Sequence, residues 1–139
     1  MWGADKHRKA DISQFSGKTT IIAQETEVRG DVHFNGAVQV DGRVVGNIFA
    51  EHGLVRLSEH GRVEGTIRAP SIFINGEVVG DVHASEHLEL DAKARITGDL
   101  HYRFLETVMG AQISGKLHYH AGGELLEVTP PALGQLAQE

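Results

Sequence analysis

Apolar residues flank a glycine at positions −2 and +2 six times along the chain. The sets are Val28, Gly30, Val32; Val44, Gly46, Ile48; Val63, Gly65, Ile67; Val78, Gly80, Val82; Ile96, Gly98, Leu100; and Ile113, Gly115, Leu117. Successive glycines stand 16, 19, 15, 18 and 17 residues apart, a mean of 17. Six matches in register are an internal repeat, and a fixed period decides the architecture before any single motif does. A second apolar pair lies between glycines: Val38 and Val40, Val55 and Leu57, Ile72 and Ile74, Leu88 and Leu90. One residue separates the members of each pair. That is the period of a strand with one buried face. No segment from 20 to 120 sustains helical spacing.

The gaps from each pair to the next repeat run three, five, three and five residues: Asp41–Arg43, Ser58–Arg62, Asn75–Glu77 and Asp91–Arg95. The short gaps carry Asp41-Gly42 and Asn75-Gly76, dipeptides that tolerate the positive φ of tight turns. Each repeat therefore reads as short strand, turn, short strand, turn. Seventeen residues are too few for a propeller blade or a helical pair and fit one coil of a solenoid. Six coils stacked at about 4.8 Å make a rod roughly 29 Å long. The repeated glycines form one column, where a side chain would be crowded or the backbone must bend. The uneven gaps break the strict rhythm of left-handed hexapeptide helices and favour the usual right-handed crossover.

The expected fold is thus all-β: a single-domain right-handed parallel β-helix of about six 17-residue coils over 20–120. A polar arm, 1–19, precedes it, and a cap and tail, 121–139, follow. Both flanks are expected to be largely disordered, with Leu125, Leu126 and Val128 available to cover the last coil.

Composition sharpens this picture. Glycine is 17 of 139 residues, aromatics are 6 % and cysteine is absent, so disulfides, thiolate metal sites and cysteine nucleophiles are excluded. A formal net charge of −6 argues against nucleic acid as a partner. No apolar run approaches the roughly 20 residues of a membrane-spanning helix, and no signal peptide is evident.

A glycine-punctuated core of 17-residue β coils between short polar arms resembles the bactofilins. The start is similar too: Met1, Trp2 and Gly3, then Lys6, Arg8 and Lys9, a short hydrophobic-then-basic segment of the kind many bactofilins use at membranes. The resemblance covers about 20–120 and the first nine residues. It implies a right-handed β-helix that polymerises without nucleotide into filaments. It also implies a bacterial cytoskeletal scaffold on the cytoplasmic face of the cell membrane, tied to cell shape, cell-wall enzymes or other scaffold proteins. The tail departs from the longer proline-rich tails of some members.

Catalytic chemistry is not evident. There is no phosphate loop and no nucleophile motif, and neither a cofactor nor a metal is expected. Most carboxylates fall at turns or outward positions. The third residue after each glycine is His33, Phe49, Arg68, His83, His101 and His118, a column that alternation points outward. His83, His101 and His118 would lie on three successive coils as an exposed polar ladder without the convergence a metal needs. The alternatives are a β-helix enzyme of the γ-class carbonic anhydrase or hexapeptide acyltransferase type, whose rhythm is not evident here, and a non-polymerising solenoid binding module. Val45 and Val79 are outward apolar residues suited to a lateral contact or a corner.

A solenoid has two open ends, each with unpaired strand edges and a cross-section of core. No cap helix is expected before Thr20. The polymer contacts are therefore expected at Ile21, Ile22, Val28 and Val32 at one end and Ile113, Leu117 and Tyr119 at the other. Met1, Trp2, Lys6, Arg8 and Lys9 are the expected contact with an anionic membrane surface.

Overall fold

A computed structural model describes residues 18–121, and every regular element among them is a β-strand. A leading strand, β1 (Thr19–Ile22), opens the structure. Six coils follow, each pairing a three-residue strand with a further strand or strands. The first four are β2 (Glu27–Arg29) with β3 (Val32–Val40), β4 (Arg43–Val45) with β5 (Ile48–Leu57), β6 (Arg62–Glu64) with β7 (Ile67–Ile74), and β8 (Glu77–Val79) with β9 (Val82–Leu90). The fifth has β10 (Arg95–Thr97), β11 (Leu100–Tyr102) and β12 (Phe104–Thr107). The sixth has β13 (Gln112–Ser114) and β14 (Leu117–Tyr119).

All pairings are parallel and join one coil to the next. One sheet runs β1-β3-β5-β7-β9-β11-β14, with β12 also on β9, and the other runs β2-β4-β6-β8-β10-β13. This is the parallel β-solenoid of about six turns that the repeat predicts.

The coil differs from the sequence reading in one respect. Val28 and Val32, like their equivalents in later coils, do not share a strand. The glycine between them has positive φ, from +125° at Gly30 to +158° at Gly115, and turns the chain from one sheet to the other. The long strands are bent as well, with register shifts at Phe34/Gly36, Phe49/Leu54 and Ala69/Ser71. Each of the first five coils therefore has three straight segments rather than two.

The six glycines stack as expected. A Cβ built on Gly46, Gly65, Gly80, Gly98 or Gly115 would overlap the carbonyl oxygen of the glycine one coil earlier. Only a residue without a side chain permits both the left-handed φ and that approach. Beside this column runs a second ladder. The Oδ1 atoms of Asp31, Asn47, Asp81 and Asp99 accept the backbone N–H of Asn47, Thr66, Asp99 and Lys116 at 2.9–3.0 Å. Each such side chain satisfies a corner amide of the following coil that no strand pairing reaches.

Inside the coil the core is built of columns. Val44, Val63, Val78 and Ile96 form one, Ile48, Ile67, Val82 and Leu100 another, and Val40, Leu57, Ile74 and Leu90 a third, all essentially without solvent exposure. Ala50, Ala69 and Ala84 occupy the position two residues after the second column and are also buried. Small residues fit there because the corner brings the walls close. At the two ends of the rod, where the constraint lapses, the equivalent positions hold Phe34 and Tyr102, both packed against the core.

Candidate functional site: the two ends and the histidine stack

The core columns do not stop at polar caps within residues 18–121. Val28 and Ile113 prolong the first column beyond its buried members by pairing with Val44 and Ile96. Val32 and Leu117 prolong the second by pairing with Ile48 and Leu100. Val28, Val32 and Ile113 are half-buried, whereas Leu117 is 41 % exposed. Their side chains have the orientation of core residues, and no further coil among the described residues covers them.

Ile21 is exposed on β1, whereas Ile22 beside it is buried in the core. Ile22 thus belongs to the end through its strand edge and not through its side chain. Tyr119 is exposed, with its ring 6.2 Å from that of Tyr102.

The C-terminal end carries two apolar residues that the sequence reading missed. Val108 and Met109 are exposed, Met109 at 92 %. They occupy the turn between β12 and β13, closed by the Ala111 N–H bond to the Val108 carbonyl. The equivalent turns, closed by Gly61 N–H to Ser58 and Ala94 N–H to Asp91, start Ser58-Glu59 and Asp91-Ala92. The signal was there to read: an apolar pair where the equivalent turns, Ala23-Gln24 included, carry at least one polar residue.

The histidine column is present, in the order His33, Phe49, Arg68, His83, His101 and His118. It is not the exposed ladder that alternation suggests. His83, His101 and His118 are half-buried because their flat rings stack and cover one another. Centroids are 4.3 Å apart for His83 and His101 and 4.5 Å for His101 and His118, with planes within 11°. His120, buried and outside the repeat, joins from the side, its Nε2 3.0 Å from His101 Nδ1. His118 Nε2 lies 3.4 Å from Asp99 Oδ2.

Burial, reinforced by His83 and His118, pushes His101 down from the usual 6.5 to about 4. Burial, followed by the Arg68 charge, also lowers His83. Asp99 is held below the usual carboxylate range, chiefly by the Lys116 N–H it accepts. His83 and His101 are thus held as neutral imidazoles at physiological pH.

Val79 is exposed and Val45 half-buried on the small sheet. Around them runs a chain of ion pairs in which Glu64 meets Arg43 and Arg62, and Glu77 meets Arg62 and Arg95. This face is a solvated charged surface. The expected membrane contacts Met1, Trp2, Lys6, Arg8 and Lys9, and the apolar trio Leu125, Leu126 and Val128, lie outside the described residues. Among the described residues no helix is long and apolar enough to cross a membrane.

The family model Bactofilin, described as polymer-forming cytoskeletal, matches residues 20–118. The chain is 26 % identical over 98 residues to Bactofilin BacP of Myxococcus xanthus (strain DK1622), covering 70 % of this chain and 40 % of that one. It is equally similar over 98 residues to Bactofilin BacO of the same organism, covering 70 % of this chain and 77 % of BacO. The chain thus spans well under half the length of BacP. No solved structure gives a significant match.

Proposed function

Because the chain belongs to the bactofilin family of polymer-forming cytoskeletal proteins, we propose that it assembles end to end into filaments through the two open faces of the solenoid. The observation that carries this reading is the continuation of two core columns into half-buried Val28, Val32 and Ile113 and exposed Leu117. Docking one end on another extends the parallel ladder and buries an apolar cross-section, at roughly 25 cal/mol per Å² of apolar area removed from water. If each end pairs with its own kind, two isologous contacts alternate and the filament has no polarity.

The driving force is surface complementarity, so no nucleotide is needed and the role is structural rather than catalytic. The N-terminal arm, with Trp2 and the basic residues Lys6, Arg8 and Lys9, supplies weak attachment to the anionic cytoplasmic face of the cell membrane. A filament displays many such arms in line and binds by avidity. In that position it serves as a scaffold for cell shape, holding cell-wall enzymes or other scaffold proteins. Negative-stain microscopy of the purified protein without nucleotide tests the reading. Filaments are expected, and a discrete oligomer or a monomer at high concentration would replace it with a soluble binding module.

A further inference from the structure

The outer face of the fourth and fifth coils holds a cluster that the repeat does not explain. His87 and Glu89 lie two residues apart on β9 and therefore share a face. Glu106 on β12 is the direct strand partner of Glu89. Two carboxylates thus stand side by side on adjacent parallel strands. His87 stands beside them. It is 7 % exposed, and its Nε2 has no hydrogen-bond partner. That nitrogen points at the pair: the nearest carboxylate oxygen, Glu106 Oε1, is 3.6 Å away, beyond hydrogen-bonding distance. A buried polar atom left unsatisfied is costly, and one aimed at two carboxylates is placed as a ligand.

We propose that His87, Glu89 and Glu106 form a binding site for a first-row divalent cation of the zinc class. One ligand atom from each residue falls within 4.8 Å of the other two. Ligands about 2.0–2.1 Å from a tetrahedral metal lie roughly 3.3 Å from each other. Rotation of Glu106, whose side chain is 53 % exposed, closes much of that difference. One imidazole nitrogen with two carboxylate oxygens is a donor set for zinc and its neighbours, and two carboxylate charges balance a dication. Three protein ligands leave a fourth position for water.

The site also has a structural consequence. β12 is the last strand of the fifth coil and is joined to the coil beneath it through β9. A cation shared by Glu89 and Glu106 staples this terminal strand to the coil beneath it. Metal binding here does not depend on end-to-end assembly and is tested on its own.

The test uses the full chain, stripped with EDTA and titrated with zinc against a competing chelator, with calorimetric stoichiometry and thermal midpoint as readouts. The histidine stack is a second potential zinc binder, so the comparison is between variants. Wild type and His120→Gln are expected to share a tight equivalent that raises the midpoint. Glu106→Gln, on a solvent-facing side chain, should still fold and should lose that equivalent or weaken it at least about tenfold, the range for perturbed metal sites. His87→Gln should do the same if it folds. Equal zinc stoichiometry and an equal rise in midpoint for wild type and Glu106→Gln would overturn the site. So would a His87 ring that is protonated in paired contact with Glu106 and unchanged by zinc in side-chain NMR spectra.

Discussion

Leu100 and Leu117 are direct partners on adjacent parallel strands, yet Leu100 has no exposed surface and Leu117 has 41 % of its own. The two side chains do the same job in successive coils, and among the described residues only the first has a coil above it. Leu117→Arg is therefore expected to leave a folded monomer and abolish polymer contacts, because docking would bury an unpaired charge at about 3–5 kcal/mol. Leu100→Arg places the same charge inside the rod and should unfold it. Sedimentation, microscopy and circular dichroism of the two variants check this, and Leu117→Arg filaments like those of wild type would remove this end from the interface.

The glycine column separates two costs. Gly30 and Gly65 both have left-handed φ, +125° and +151°, but a Cβ on Gly30 meets nothing within 4 Å whereas one on Gly65 overlaps the Gly46 carbonyl. Gly30→Ala should lose about 1–2 kcal/mol of stability from backbone strain alone. Gly65→Ala should lose that and about 1–3 kcal/mol more from the clash. Urea unfolding of both variants measures the difference, and equal losses would mean that the close approach carries no weight.

Acid should loosen the histidine stack. Above pH 6.5 neither the folded nor the unfolded chain protonates His101. Between 6.5 and about 4 the unfolded chain takes up a proton that the folded chain refuses, so stability falls as pH falls. The gap bounds the loss at about 3 kcal/mol, and partial exposure of the ring reduces it to roughly 1–2 kcal/mol. His83, lowered in the same direction, adds to it, while the carboxylates of Asp81 and Asp99 beside the stack oppose it. His101→Gln should flatten the slope of unfolding free energy between pH 7 and pH 4.5. An unchanged slope would show that the stack does not titrate as its burial requires.

Membrane attachment through the arm predicts a dependence on polymer. Each basic residue near an anionic surface contributes about 1 kcal/mol, so Lys6, Arg8, Lys9 and one Trp hold a monomer poorly. Wild-type filaments should pellet with anionic liposomes. Trp2→Glu filaments and Leu117→Arg monomers should largely remain in solution. Equal pelleting by Trp2→Glu and wild type would remove Trp2 as the anchor.

Much of the fold is legible in the sequence because the coil repeats its largest residues. Valine, isoleucine and leucine two places either side of a glycine give the period and the buried face. The corner at that glycine is less visible. Alternation passes smoothly from Val28 to Val32, and only the φ of Gly30 reveals that the two lie on different sheets. The alanine column was missed because Ala50, Ala69 and Ala84 are weak hydrophobic signals and the bends near them break the period of two. The metal cluster joins residues whose partnership, Glu89 with Glu106, depends on the length of the coil between them. The stacking of His101 against His120 escaped for a related reason, since His120 follows the last strand and belongs to no column.

The parallel pairing has a mechanical consequence. Every backbone bond between coils lies along the long axis of the rod, because the strands run across it. Pulling the ends apart therefore stretches these bonds head-on, and the rod should part at one coil boundary. A helix-built fibre pulled lengthwise can uncoil one turn at a time and absorb strain. This rod yields in whole coils, because parting one boundary frees the roughly 17 residues of a coil at once. Its tensile limit is set by the weakest boundary, and in a chain of such rods the seams between molecules compete with the coils themselves to give way first.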